Sequence, residues 1–198
     1  MMRVGITGGI GAGKTTVCRI FESLDIPVYY ADDRAKDIMT KDNEIVKKIK
    51  TLLGNQVYQE DGSLNRQEIS RMIFRNPALR NQLNTIVHPA VGRDVGRWFD
   101  QLEKKGHVPY ALEEAALLVE SGAWKALHAL IVVTCPMEAR IERVMRRDDL
   151  PREAVEARLA SQLTDEERAR HADYVIQNDG NKSLVRQVLK IHARLTQP

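Results

Sequence analysis

The sequence is poor in cysteine, in aromatic residues and in long apolar runs. Its two cysteines, Cys18 and Cys135, are too few for a disulfide framework. Aromatic residues make up only 5% of the chain. No apolar run approaches the roughly 20 residues of a membrane-spanning helix, and the N-terminus lacks the features of a secretory signal. We therefore expect a cytoplasmic protein without membrane contact.

An excess of charge of one sign is also missing. Among 198 residues, 30 Lys and Arg are balanced by 27 Asp and Glu, which leaves a formal net charge of +3. This balance does not favour nonspecific attraction to nucleic acid, but it allows a local basic cleft for a small anionic ligand. We expect no nucleic-acid partner, and a monomer or weak homo-oligomer.

Short β-rich runs alternate with longer amphipathic runs along the chain. Strands are predicted at 3–7, 27–30, 107–112, 129–134 and 174–176. Helices are predicted at 14–24, 34–39, 90–105, 137–146 and 183–195. This alternation predicts an α/β fold with a five-stranded, mostly parallel sheet.

The second and third predicted strands are separated by far more chain than a simple crossover needs. Amphipathic runs at 44–53, 66–74 and 78–87 fall inside this segment. We therefore predict a helical subdomain, 32–106, inserted into a core formed by residues 1–31 and 107–198.

Residues 8–15, GGIGAGKT, match the phosphate-loop pattern G-x-x-x-x-G-K-[ST]. The motif follows a predicted strand and opens a predicted helix, where backbone N–H groups and the helix dipole favour bound phosphate. A glycine-rich turn with an exposed lysine is the alternative, and the context disfavours it. Lys14 is expected to bridge the β- and γ-phosphates, and Thr15 to hold Mg²⁺. The residues predicted to bind ATP in this loop are Gly9, Gly11, Ala12, Gly13, Lys14, Thr15 and Thr16.

A phosphate loop alone does not separate kinases from GTPases and motor ATPases. The sequence contains no N-K-x-D tetrapeptide for reading guanine, and a large ATPase would need more chain. No apolar run ends in the aspartate of a plain Walker B strand. A small-molecule kinase with a three-layer, phosphate-loop kinase fold is therefore favoured.

Asp32 follows the second predicted strand, at the sheet edge where parallel strands present ligand-binding residues. A carboxylate there is placed to accept the proton of an attacking hydroxyl group. The alternative is that Asp32 or Asp33 only caps a helix that begins near Arg34. We assign the catalytic role to Asp32 and the capping role to Asp33.

Arg143 and Arg147 are four residues apart, so they project from one face of a predicted helix. They belong to a helical segment, 137–165, that we predict to be a lid over the nucleotide. Two cations there would neutralise the transferring phosphate and exclude water. The alternative is a solvated face on which they pair with Glu138 and Glu142.

Other polar residues carry separate expectations. Arg140 and Arg146 are expected to be ordinary surface residues. His88 precedes Pro89, which predicts a helix boundary there. Glu120 follows an apolar run and is expected to orient substrate or pair with a lid arginine, or else to be an exposed acid.

Taken together, several segments resemble the dephospho-CoA kinase family nearly end to end. The segments are 7–14 (TGGIGAGK), Ala31-Asp32, His88-Pro89, 117–120 (LLVE), 143–148, Gln162 and 172–180 (ADYVIQNDG). The resemblance implies ATP-dependent phosphorylation of the ribose 3′-hydroxyl of dephospho-CoA, the last step of coenzyme A biosynthesis.

The resemblance also implies roles for individual residues. Asp32 would be the base that orients the 3′-hydroxyl, and the inserted helices would bind the coenzyme substrate. Asn178 would lie beside the adenine of ATP. The further residues implied to contact substrate are His88, Leu117 and Glu120.

The sequence departs from the family pattern at two positions. Tyr30 stands where the family often has a first aspartate, and Ala116 where it usually has proline. Two alternative functions stay open at this stage. One is a kinase for another small acceptor, such as a nucleoside or nucleotide. The other is an ATP-binding regulatory module that has lost phosphoryl transfer.

Overall fold

The structure, a computed structural model, describes residues 1–197, apart from the side chains of Phe74 and Arg75. The chain forms two compact units. One, which we call the sheet unit, consists of residues 1–30 and the chain from Gln101 onward. The other, the helical unit, is Ala31–Asp100. All strands of the sheet lie in the sheet unit.

The sheet has five strands, all parallel to their neighbours. They are β1 (Met2–Thr7), β2 (Val28–Tyr30), β3 (Tyr110–Glu114), β4 (Ala129–Thr134) and β5 (Tyr174–Gln177). Their spatial order is β2-β3-β1-β4-β5. The predicted α/β fold with a five-stranded parallel sheet is confirmed, and the loop after β1 leaves from the middle of the sheet edge.

The central strand β1 is buried on both faces, as a strand in the middle of a parallel sheet must be. Val4 and Ile6 are fully buried in the main core of the sheet unit. Between them, Gly5 leaves space on the other face, because a Cβ there would lie 2.6 Å from Leu127 Cδ1. The position of the phosphate-loop motif is therefore fixed by a well-packed strand.

Helices cover the sheet and form the helical unit. In chain order they are α1 (Lys14–Glu22), α2 (Ala31–Lys41), α3 (Asn43–Leu53), α4 (Arg66–Arg75), α5 (Pro77–Lys105), α6 (Met137–Asp148), α7 (Arg152–Ala160), α8 (Asp165–Ala169) and α9 (Leu184–Thr196). Short 3₁₀ turns occur at Asn55–Val57 and Ala123–Ala126. Most of these helices start and end within a few residues of the predicted bounds.

Local sequence explains several of the helix starts. Asp42 caps α3, where its carboxylate accepts from the backbone N–H groups of Glu44 and Ile45. Thr164 and Glu167 form a reciprocal capping box at the start of α8. Such side chains satisfy backbone donors that the first turn of a helix leaves without a partner.

The helical unit has an apolar core of its own. On α3, the buried residues Ile45, Ile49 and Leu53 recur every four positions and form one stripe. Leu83 and Val87 of α5 pack in the same cluster. This spacing is the amphipathic pattern from which the helices at 44–53 and 78–87 were predicted.

Three local predictions are wrong. The strand β3 ends two residues later than expected, so Glu113 and Glu114 are strand residues. The helix α2 begins at Ala31, which puts Asp33 inside its first turn instead of before it. The helix α5 runs through His88 and Pro89, because a helix stabilised by packing along its length accommodates one missing backbone donor.

The two cysteines are free thiols buried in the sheet unit. Cys18 of α1 is fully buried in the main core, and burial raises the pKa of its thiol. Cys135 follows β4 and is 7% exposed. Both cysteines are therefore buried small residues, as expected. Among the described residues, none of the helices has the length and apolar character needed to cross a membrane.

Candidate active site

The phosphate-loop motif forms a tight turn between β1 and α1. Gly11 and Gly13 have φ angles of 77° and 93°, which side chains rarely adopt. Lys14 opens α1, and its Nζ donates to the Gly8 carbonyl oxygen at 3.0 Å. The loop thus has the strand-loop-helix geometry that a phosphate-binding turn requires.

Side chains from later in the chain hold the outer surface of this loop. The backbone N–H of Ile10 donates to Gln162 Oε1 at 3.0 Å. Asn178 Nδ2 donates to the Ala12 carbonyl oxygen at 2.8 Å. Within residues 1–197, the backbone N–H groups of Gly11 and Gly13 have no hydrogen-bond acceptor. These donors are therefore available to an anion.

Arg143, predicted to cover the phosphates, lies against the phosphate loop. Its Nη1 donates to the Gly11 carbonyl oxygen at 3.4 Å and contacts Cys135 Sγ at 3.2 Å. Arg147 is instead paired with its neighbour Asp148 through two hydrogen bonds, at 2.7 and 3.0 Å. This pairing holds the pKa of the Asp148 carboxyl group below its ordinary value. The structure thus brings one of the two arginines to the loop.

Neither arginine makes the surface pairs that the alternative interpretation named. Glu138 instead pairs with Arg152 of α7, through hydrogen bonds of 2.7 and 3.0 Å. This pair joins the start of α6 to the start of α7. The predicted lid function of this segment stays a prediction.

Arg140 is not the surface residue that the sequence predicted. It is 4% exposed, and its Nε donates to the Ile10 carbonyl oxygen at 3.0 Å. Its Nη1 donates to Asp165 Oδ1 at 3.2 Å. The prediction failed because the i, i+4 pattern shows which residues share a helix face, but not which face meets the loop. Arg146, by contrast, is exposed, as expected.

Glu114 is a site residue that the sequence interpretation missed. It is buried at the end of β3, and its Oε1 lies 3.8 Å from Lys14 Nζ. An acid at the end of a buried strand next to the loop strand was the available signal. The prediction considered only an aspartate as the Walker B acid, so it missed this glutamate.

Glu113, the preceding residue, points to the opposite face of the sheet, since side chains alternate along a strand. It is 8% exposed, and its register partners are Gly5 and Tyr29. No hydrogen bond or ion pair of its carboxyl group is found among the described residues. Burial raises the pKa of Glu113 to about 7.

Glu120 forms an ion pair with an arginine, but not with a lid arginine. Its Oε1 accepts from Arg168 Nη2 at 2.6 Å, and Arg168 is fully buried in α8. Leu117, three residues earlier, is 41% exposed. The predicted contacts of Glu120 and Leu117 with substrate stay predictions.

A cavity of about 600 Å³ lies beside the phosphate loop in the sheet unit. Its lining includes Cys135, Asp165 and Asn178. Asn178 connects the cavity to the phosphate loop, since its Nδ2 donates to the Ala12 carbonyl oxygen. Its size and position suit a purine base.

Asp32 and His88 belong to the helical unit. Asp32 is exposed in the first turn of α2, where the helix dipole stabilises negative charge. His88 is exposed on α5. Their predicted roles toward substrate stay predictions.

The parallel sheet with a phosphate loop on its central strand, together with a basic helix packed on that loop, defines a phosphate-loop kinase of small molecules. The sequence model of one protein family, described as dephospho-CoA kinase, matches residues 2–183. The chain belongs to the dephospho-CoA kinase family, a family of transferases, and the resemblance found in the sequence is confirmed.

Individual relatives agree with this assignment. The chain is 35% identical to a dephospho-CoA kinase of Bacteroides fragilis, over 99% of this chain and 94% of that protein. It is 38% identical to one of Pasteurella multocida, over 98% and 95%. Both matches therefore extend over nearly the full length of this chain and of the relatives.

Two solved structures share the fold. The crystal structure of TT1252 from Thermus thermophilus matches with a TM-score of 0.85 and 32% identity, over 100% of this chain and 98% of that one. Dephospho-CoA kinase from Campylobacter jejuni matches with a TM-score of 0.72 and 27% identity, over 98% and 96%. The likeness extends over nearly the full length of both chains in each case.

Proposed function

We propose that the chain transfers the γ-phosphoryl group of ATP to the ribose 3′-hydroxyl of dephospho-CoA, and so completes coenzyme A biosynthesis. The observation that carries this proposal is the family match over residues 2–183. That match spans the phosphate loop, the lid segment and the inserted helices together. Phosphorylation of dephospho-CoA to coenzyme A is the activity of this family, and ATP is its phosphoryl donor.

In the proposed reaction, the substrate 3′-oxygen attacks the γ-phosphorus and the bond to the β–γ bridging oxygen breaks. The hydroxyl proton passes to Asp32, which also holds the oxygen in line. Asp32 is exposed at the start of α2, so it is accessible to a substrate. Since phosphoryl transfer needs little covalent chemistry from the protein, positioning is its main contribution.

The sheet unit would supply the positive charge. The N–H groups of Gly11 and Gly13, together with Lys14, would bind the phosphates of ATP. Arg143, which bonds the loop at Gly11, would contact the γ-phosphate, and Arg147 would join it once its pairing with Asp148 is exchanged for phosphate. Cationic cover of this kind stabilises charge that spreads over the transferring group.

Magnesium is the ion that such a site is expected to use. The Thr15 hydroxyl is exposed in the first turn of α1, and the Glu114 carboxylate lies near Lys14. Both are oxygen ligands of the type that Mg²⁺ prefers, so the residues fit the ion. When bound, the ion would neutralise phosphate oxygens during transfer.

Contacts with the two substrates would be divided between the units. Asn178, at the cavity beside the loop, would adjoin the adenine of ATP. The helical unit would bind the coenzyme substrate, with His88 as one contact. Leu117 and Glu120 of the sheet unit would contribute further contacts.

Acceptor profiling tests the proposal. Purified protein is mixed with MgATP and either dephospho-CoA or a panel of nucleosides and nucleotides, and ADP release is followed. We expect turnover only with dephospho-CoA, and none in the Lys14→Ala variant. Turnover with a different acceptor would overturn the substrate assignment. ATP binding without acceptor-dependent turnover would favour the regulatory module.

The role of Asp32 is tested with the Asp32→Asn variant. We expect kcat to fall by about two orders of magnitude or more, with little change in ATP affinity, because the proton acceptor is lost. Asp33→Asn is the matched control, since Asp33 is exposed and pairs with Lys36. Equal activity of the two variants would contradict the assignment.

A further inference from the structure

Arg140 is a buried side chain that is hydrogen-bonded to the backbone of the phosphate loop. It is 4% exposed, and its Nε donates to the Ile10 carbonyl oxygen at 3.0 Å. The backbone N–H group of the same residue is held too, since it donates to Gln162 Oε1 at 3.0 Å. Both polar groups of Ile10 are thus bonded to side chains from the segment 140–162.

Arg140 is itself held by a network of alternating charges in which both arginines are buried. Its Nη1 donates to Asp165 Oδ1 at 3.2 Å, and Asp165 Oδ2 accepts from the Cys135 backbone N–H at 3.0 Å. Arg168 Nη1 lies 3.7 Å from the same Asp165 Oδ1, and its Nη2 donates to Glu120 at 2.6 Å. Two cations and two carboxylates therefore form one chain that ends at the phosphate loop.

Arg140 and its helix also lie in close steric contact with the loop. A Cβ atom placed on Gly9 would lie 1.9 Å from Arg140 Nη2, inside the van der Waals contact distance. A Cβ atom on Gly11 would lie 2.7 Å from the Arg140 carbonyl oxygen. Two of the loop glycines thus lie in close contact with Arg140 and its helix.

These contacts have a consequence for phosphate binding. With the Ile10 carbonyl oxygen bonded to Arg140, and the Gly11 and Ala12 carbonyl oxygens bonded to Arg143 and Asn178, three successive carbonyl groups are held by outside donors. Such fixation leaves intervening N–H groups oriented for an anion and removes the need to reorganise on binding.

We propose that Arg140 is a positioning residue that keeps the phosphate loop in its ATP-binding conformation, and that Asp165 holds Arg140 in place. The proposal rests on the proposed function, because it assigns ATP to this loop. Arg140 acts by holding the loop backbone. It transfers no proton, and it stays bonded to the loop during the reaction. Its effect is therefore on the ATP side of the kinetics.

The first experiment measures ATP affinity without acceptor, by calorimetric titration of MgATP into the full chain. We expect Arg140→Ala to weaken ATP binding by about 10- to 100-fold, because the loop must then be ordered when ATP binds. Arg146→Ala is the matched control on the same helix, since Arg146 is exposed and makes no hydrogen bond to the loop among the described residues. Equal affinities of the two variants would overturn the proposal.

Two further variants separate position from charge. Arg140→Lys keeps the positive charge but cannot bond Ile10 and Asp165 at once, so we expect it to lose affinity nearly as Arg140→Ala does. Asp165→Asn keeps the volume and removes the charge that holds Arg140, and we expect a smaller loss in the same direction. Normal affinity in Arg140→Lys would show that charge alone suffices, and would contradict positioning.

A double-mutant cycle tests the steric contact. Gly9→Ala should weaken ATP binding in the wild-type background, because the added methyl group displaces the Arg140 guanidinium group. In the Arg140→Ala background the space is vacant, so the same change should have little further effect. If the methyl group instead blocked phosphate directly, the two losses would multiply. That outcome would contradict the proposal.

Steady-state kinetics provide a readout that general destabilisation would not produce. At a temperature where circular dichroism shows each variant folded, Arg140→Ala should raise KM for ATP by about tenfold or more and change KM for dephospho-CoA by less than about twofold. An equal rise of both constants would overturn the proposal. If the wild type bound ATP without phosphorylating dephospho-CoA, the proposed function would fail, and the ratio of ATP affinities would still decide the role of Arg140.

Discussion

The two compact units bury different kinds of side chain. The sheet unit buries four charged residues, Glu113, Glu114, Arg140 and Arg168. In the helical unit, among the residues whose side chains are described, every buried side chain is apolar and each ion pair has at least one exposed partner. Burial of a charge is unfavourable unless it is paired and hydrogen-bonded. The sheet unit therefore bears a cost in stability that the helical unit does not.

The difference follows the location of the phosphate loop. Glu114 adjoins Lys14, and Arg140 bonds Ile10, so two of the four buried charges touch the loop itself. Arg168 is connected to Arg140 through Asp165. Of the four buried charged residues, only Glu113 is not connected to the loop by these contacts. Buried charge in this chain is thus concentrated where polyanionic phosphates are expected, and the helical unit is stabilised by ordinary apolar packing.

Among the changes that test this difference between the units, Arg168→Met should cause the largest loss of stability. The change leaves Glu120 and the partly buried Asp165 without the cation between them, and we expect it to lower the free energy of unfolding by about 3–5 kcal/mol. Chemical denaturation followed by circular dichroism measures this loss. Arg170→Met, at an exposed position two residues later, is the control and should change stability little. Equal effects would show that burial of charge in α8 does not matter.

The next effect should come from Glu113→Gln, and it should depend on pH. The pKa of Glu113 is raised from 4.5 to about 7, so the stability of the neutral form is fully present below about pH 4.5 and is lost as pH rises through 7. A neutral amide avoids this loss. We expect the variant to match the wild type near pH 4.5 and to exceed it by on the order of 3 kcal/mol at pH 8.

Denaturant unfolding at several pH values between 4.5 and 8 tests this prediction. Glu153→Gln, on the exposed surface of α7, is the control and should follow the wild-type curve. Parallel curves for Glu113→Gln and the wild type would show that the Glu113 carboxyl group is solvated in the folded protein.

The smallest effect should come from a surface pair of the helical unit. Glu68 and Arg71 are joined on α4 by hydrogen bonds of 2.6 and 3.0 Å, and their pairing lowers the pKa of Glu68. Exposed pairs are screened by water and salt. We expect Arg71→Ala to leave Tm nearly unchanged, and any difference to vanish in 1 M salt. A loss as large as that of Arg168→Met would remove the distinction between the units.

The sequence predicted the fold well where the signals are local. Alternation of β-rich and amphipathic runs gave the parallel sheet, and the motif around Lys14 placed the phosphate loop correctly. The helices of the insert followed from apolar spacing such as that of Ile45, Ile49 and Leu53. These patterns depend on secondary structure alone, so one sequence is enough to read them.

Predictions failed where contacts between distant segments decide the structure. Arg140 meets Ile10, 130 positions away, and no spacing along the chain reveals that pair. The short helix α8, which provides Asp165 and Arg168, has too few residues for a periodic signal. Pro89 inside α5 contradicted a sound local rule, because packing along a long helix outweighs one missing donor.

Because Cys18 is buried, the reaction of its thiol with an alkylating reagent measures opening of the sheet unit. A thiol with no exposure in α1, directly behind the phosphate loop, cannot react with an alkylating reagent until that part of the fold separates. Its labelling rate therefore measures how often the nucleotide-binding region opens. On the proposed function ATP would bind only the closed form, so the same rate should slow as ATP is added, by a factor set by ligand concentration and affinity. The labelling rate of Cys18 thus reports ligand occupancy without any attached probe.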